Sequence, residues 1–92
     1  MRNQEEAKID RVSDEVGRLS NKVVALEGNV KGGIRAEDKK FVVLIELLMI
    51  QMLKLDEIEA KGELKVRRKR EVCRIQSILE SLDEMRARNR GT

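Results

Sequence analysis

A chain of 92 residues has room for one hydrophobic core and buries only roughly 60–65% of its unfolded surface, so its stability is modest. It holds no proline, six glycines and a single aromatic residue, Phe41, which excludes a turn-rich sandwich or barrel and leaves Leu, Ile, Val and Met to build helices. Twenty basic against 17 acidic residues give a net charge of +3, too mild for an indiscriminate nucleic-acid binder.

The first element is the most regular. Ile9, Val12, Val16, Leu19, Val23, Leu26 and Val30 alternate at spacings of three and four, which predicts a helix over about 5–31 packed in a bundle or coiled coil. Its remaining faces carry balanced charge, and Lys31-Gly32-Gly33 is a stop signal. A second helix is expected over about 36–60, with Glu37 and Asp38 at the positive end of its dipole. Phe41, Leu44, Ile45, Leu48, Met52 and Leu55 form its core face, while Val42, Met49, Ile50 and Leu53 point elsewhere. Such a helix is either contacted on two sides or keeps an apolar strip for a partner. Lys61-Gly62 marks a short turn, and a third helix follows over about 63–89 with Val72, Ile75, Leu79 and Leu82 as its stripe. Long helices joined by short connections lie antiparallel. The expected fold is therefore an all-α, up-down-up three-helix bundle in a single domain spanning 1–92. An oligomeric coiled coil built on the first helix is the alternative.

No constellation for catalysis, metal or cofactor binding is present. There is no histidine, Cys73 has no second cysteine to join it on zinc, and Gly32-Gly33 lacks the strand and spacing of a phosphate loop. The chain reads as a non-enzyme. Cys73 alone makes no intramolecular disulfide and points to a reduced intracellular setting, most simply the cytoplasm. No stretch approaches the roughly 18 consecutive apolar residues of a membrane span, and none near Met1 resembles a signal peptide.

Charge is distributed unevenly. Residues 32–60 carry four basic and six acidic residues, whereas residues 61–92 carry ten and five. Lys65, Arg67, Arg68, Lys69, Arg70 and Arg74 crowd into three turns and repel one another, more than solubility requires. Arg68 falls on the backward extension of the third helix's apolar stripe. Its guanidinium must leave the core or reach along it, and where the bundle tapers it is expected to project toward a partner carboxylate. Gln76 lies about 80° round the helix from it. On the second helix Glu46 sits among Val42, Met49, Ile50 and Leu53, and Asp56 follows ten residues later, so acids rim an apolar strip as they do at interfaces. Nucleic acid is a poor fit to this surface, because stacking aromatics are missing and the acids would repel phosphates. A membrane surface is a poor fit as well, for want of aromatic anchors.

Several stretches resemble the BAG domain of plant-type BAG-family chaperone regulators. The most distinctive is Leu44 to Gln76, LIELLMIQMLKLDEIEAKGELKVRRKREVCRIQ, preceded by DEVGRLSNKVVALEGNVKGG and followed by SILESLDEMRARN. The likeness covers roughly residues 6–89. It implies an antiparallel three-helix bundle whose second and third helices grip the nucleotide-binding (ATPase) domain of Hsp70 or Hsc70. The family's contact set of two acids ten residues apart, an arginine and a glutamine corresponds to Glu46, Asp56, Arg68 and Gln76, with Lys69 beside the arginine adding attraction. The second turn, Glu59–Glu63, is shorter than in the animal pattern. By this resemblance the chain is a monomeric nucleotide exchange factor that speeds ADP release. The alternative is a structural or homo-oligomeric interaction module without exchange activity.

Overall fold

A computed structural model of the protein describes residues 3–91 and shows three α-helices, α1 (Gln4–Lys31), α2 (Asp38–Asp56) and α3 (Glu63–Arg90). They pack side by side into a rod of 50 × 18 × 17 Å. Bonds from α3 to α1, Arg67 to Asp10 and Arg74 to Ser13, rise together in number, so these two helices are parallel. Bonds linking residues 58 with 68, 38 with 86 and 36 with 89 run in opposite order, so α2 is antiparallel to α3. The topology is up-down-up, as the short connections require.

The apolar stripe of α1 forms the spine of the core: Ile9, Val12, Val16, Leu19, Val23 and Leu26 are all buried, with Val30 packed at the fringe. Phe41, Leu44, Leu48 and Leu55 of α2 and Ile75, Leu82 and Met85 of α3 complete it. Val72, Ile78 and Leu79 are only partly buried and pack on its edge.

The helix ends explain where the bundle closes. Asn3 caps α1 by accepting a hydrogen bond from the Glu6 amide at 2.7 Å. At the other end the Ile34 amide donates to the Asn29 carbonyl and the Gly33 amide to the Val30 carbonyl, a Schellman motif. Gly33 takes φ of 83°, which its missing Cβ permits.

α2 is shorter at both ends than the 36–60 of its periodicity. Its start is displaced because the Asn89 side chain holds Ala36 in the connection, donating to its carbonyl at 2.9 Å and accepting from its amide at 3.0 Å. Its end comes at Asp56 because Ile58 turns inward to plug the core and is buried there. Gly62, with φ of 57°, then redirects the chain into α3.

Candidate functional site on the α2–α3 face

In α2 the buried stripe of Phe41, Leu44, Leu48, Gln51 and Leu55 faces the bundle axis. Glu46 lies about half a turn from the centre of that stripe and therefore faces outward. Around it Met49, Ile50 and Leu53 are exposed, Leu53 by 62%. This is the outward apolar strip expected from the sequence; Val43 is exposed beside it, whereas Val42 is half-buried. Met49 and Asp56 lie on the flank of α2 toward α3, and Leu47 and Ile50 on the flank toward α1, where they line a groove with α1 residues.

The antiparallel register set by residues 58–68, 38–86 and 36–89 aligns the two helices. It places Asp56 level with Lys69, Met49 level with Gln76, and Glu46 level with Leu79. Glu46 and Asp56 are about 15 Å apart along α2, and Arg68 and Gln76 about 12 Å apart along α3. Glu46, Asp56, Lys69 and Gln76 are exposed, and none forms an ion pair or side-chain hydrogen bond among the described residues. Their charges and amide face solvent. The five residues thus lie along one face, as two acids on one rail and three cationic or polar groups on the other.

Arg68 departs from the simplest expectation. Rather than only projecting from the seam, it is half-buried and reaches along it, donating from Nη1 to the Ile58 carbonyl at 2.6 Å. The α2–α3 turn supplies that acceptor because helix α2 has already ended and the carbonyl has no helical donor. Nε and Nη2 carry no protein partner. One corner of the fork is therefore anchored, and its Nε–Nη2 edge remains available for a bidentate contact.

The crowded cations of α3 are also partly absorbed within the fold. Arg67 pairs with Asp10 at 2.8 Å, and Arg74 bonds Glu71 at 3.3 Å and the Ser13 carbonyl at 3.5 Å. Together with Arg68 they brace the bundle, leaving Lys65, Lys69 and Arg70 without an ion pair. The cation run is thus half scaffold and half surface.

Two polar residues in the core escaped the apolar patterning: Gln51 and Asn89 are 5% and 4% exposed. Both sit on a legible stripe, Gln51 between Leu48 and Leu55, and Asn89 after Leu82 and Met85. The signal was their phase rather than their residue type. Among the described residues, no cluster of three His, Cys, Asp or Glu is arranged to hold a metal, and no helix is long and apolar enough to cross a membrane.

Comparison with known proteins places this face in context. The BAG domain profile matches residues 9–85. The chain is 50% identical over 82 residues to Arabidopsis thaliana BAG family molecular chaperone regulator 4, covering 89% of this chain and 30% of the relative. It is 42% identical over 81 residues to regulator 1 of the same organism, covering 88% and 24%. The chain therefore spans less than a third of the length of these relatives. Its structure superposes on the crystal structure of ATBAG4 with a TM-score of 0.92 at 47% identity, covering 95% of this chain and 99% of that one. It superposes on ATBAG1, crystallised in complex with HSP70, with a TM-score of 0.91 at 40% identity, covering 94% and 49%. A family profile spanning most of the residues, close relatives and a shared three-helix architecture agree: the chain belongs to the BAG domain family of chaperone regulators.

Proposed function

We propose that this chain docks its α2–α3 face on the nucleotide-binding domain of an Hsp70-type chaperone and acts there as a nucleotide exchange factor. The observation that carries the reading is the set of Glu46, Asp56, Lys69 and Gln76, exposed and unpaired on one face beside the anchored fork of Arg68. The complex of ATBAG1 with HSP70 supports the choice of partner. Glu46 and Asp56 would accept from basic groups on the chaperone, Gln76 would add a neutral donor and acceptor, and Lys69 would raise the encounter rate. Arg68 would give its Nε–Nη2 edge to a carboxylate. Its tie to Ile58 lowers the ordering cost of that contact, because the fork is already held.

The module supplies no acid, base or cofactor of its own. Its effect on nucleotide comes from binding an opened ATPase cleft more tightly than a closed one, so that ADP loses contacts and leaves. The lone exposed thiol of Cys73 is compatible with a reducing cytoplasm.

The test is release of a fluorescent ADP analogue from an Hsp70 nucleotide-binding domain with saturating amounts of this chain. Faster release is expected. Binding without acceleration would leave an adaptor and remove the exchange activity. The exposed strip of Met49, Ile50 and Leu53 also suits self-association. Sedimentation equilibrium of the free chain, where a monomer is expected, separates the two.

A further inference from the structure

The opposite flank of α2 carries a second feature that the α2–α3 face leaves unused. Along the seam between α1 and α2 run two hollows, of about 730 Å³ toward the C-terminal end of α2 and about 400 Å³ toward its N-terminal end. On α1 the first hollow ends at Arg18 and the second begins at Lys22; on α2 they meet between Leu44 and Leu47. A single helical turn separates them, and end to end they span about 30 Å of the α1–α2 groove.

The floor of the larger hollow contains an anomaly. Gln51 is 95% buried by residue, at 5% exposure, and lines the hollow beside Val12, Leu47 and Ile58. Its amide makes no hydrogen bond to another group among the described residues. The amide atoms themselves are not closed off from solvent, so the group is open to an outside partner. Because Gln51 lines the hollow, its amide can present a donor and an acceptor edge there. That is the complement of a peptide backbone in extended form, whose amide and carbonyl groups are unpaired. A helical ligand has already paired its own backbone groups and would leave Gln51 unmatched.

Charge selects the side chains of such a ligand. The smaller hollow has an apolar floor that includes Leu26, Val43 and Leu44, rimmed by Lys22, Lys39 and Lys40 with Glu37 as its only acid. None of these lysines forms an ion pair among the described residues. Arg11 and Lys54 beside the larger hollow are likewise unpaired, and Asp14 and Glu57 face them as free acids. The excess of free cations is greatest at the α2 N-terminal end.

We infer that the α1–α2 groove binds an extended acidic peptide segment, with its backbone paired to the Gln51 amide, apolar side chains in the two hollows, and carboxylates on Lys22, Lys39 and Lys40. The groove lies on the other flank of α2 from Met49 and Asp56, and it shares Val43 and Ile50 with the edge of the outward strip.

The test is titration of the isotope-labelled chain with a fluorescein-labelled peptide of alternating leucine and glutamate, about ten residues long to match the groove, and with its leucine–lysine counterpart. Fluorescence anisotropy and amide NMR spectra are read in parallel. The acidic peptide is expected to bind and to shift the Gln51 side-chain amide signals and the backbone signals of Val12 and Leu47; the basic one is not. The double variant Lys22→Glu/Lys40→Glu, exposed and outside the core, should lose about tenfold or more in peptide affinity while binding the chaperone ATPase domain unchanged. Gln51→Leu should weaken peptide binding without lowering the thermal midpoint. Equal binding of both peptides, shifts confined to the α2–α3 face, or full peptide affinity in Gln51→Leu each overturns the inference. So does preferential binding to phosphatidylserine vesicles, or to a helix-forming acidic peptide that leaves Gln51 unmoved.

Discussion

Arg68 joins the fold to the proposed interface through one guanidinium. Truncation to alanine removes the bond to the Ile58 carbonyl, a cost of about 1–2 kcal/mol in stability. If the Nε–Nη2 edge meets a buried chaperone carboxylate, the same truncation weakens binding by about 2–5 kcal/mol. Denaturant unfolding and calorimetry measure the two effects separately. Arg68→Lys should retain part of the stability yet recover little affinity, because an ammonium cannot hold Ile58 and present a planar fork together. Unchanged calorimetric affinity in Arg68→Ala would remove it from the contact set.

Asn89 and Asp38 fasten the opposite end. The Asn89 amide satisfies both the carbonyl and the amide of Ala36, so Asn89→Ala leaves two backbone groups unpaired and should cost about 1–3 kcal/mol by denaturant unfolding. Asp38 accepts from Arg86 at 2.7 and 2.8 Å and lies 3.5 Å from Arg90. The hydrogen bonds from Arg86, helped by the charges of Arg86 and Arg90, lower its carboxyl pKa from 3.8 to about 2 against the opposing effect of desolvation. A pKa depressed in the folded state favours folding above the unfolded value, and that contribution is lost as the pH falls from about 4 through about 2. Thermal midpoints across that window should fall less steeply in Asp38→Asn than in the parent chain.

Among the elements, α1 and α3 are the straightforward helices, and α2 is defined by what happens at its ends. Gly28 lies within α1, is exposed, and a methyl group there would meet nothing within 4 Å. Gly28→Ala should therefore stabilise by about 0.5–1 kcal/mol. Gly62 is the reverse case: φ of 57° with ψ of −128° suits glycine alone. Gly62→Ala should cost about 1–3 kcal/mol and loosen the turn that supplies the Ile58 acceptor to Arg68. Chemical denaturation of the two variants should show shifts of opposite sign.

The whole molecule is a slim rod, with a radius of gyration of 15.0 Å against about 12 Å for a compact domain of this length. Two of its long faces are formed along α2, one with α3 and one with α1, so a single helix serves both the proposed chaperone contact and the inferred peptide groove. Charge is also polarised, with more acidic than basic residues over 32–60 and twice as many basic as acidic over 61–92. Association with a chaperone ATPase domain should slow as salt rises, while dissociation changes less, because long-range steering is screened and close contacts are not. Stopped-flow rates at low and high salt check this, and an association rate independent of salt would assign no steering role to Lys69.

Periodicity carried the three helices and most of the core, because spacings of three and four place side chains on one side of a helix whatever surrounds it, and the short connections carried their up-down-up order. It also set Glu46 and Asp56 beside an outward apolar strip, whereas Lys69 entered through the family resemblance, which rested on the longer stretch from Leu44 to Gln76. Local pattern is silent about contacts between distant segments. That Ile58 would leave its helix to plug the core, that Arg68 would turn inward to its carbonyl, and that Asn89 would clamp Ala36 depend on how helix ends meet. Gln51 is the sharpest case. Its position on the α2 stripe was readable, but its place in the α1–α2 groove follows from packing of the neighbouring helix, which covers most of the side chain and offers its amide no partner among the described residues.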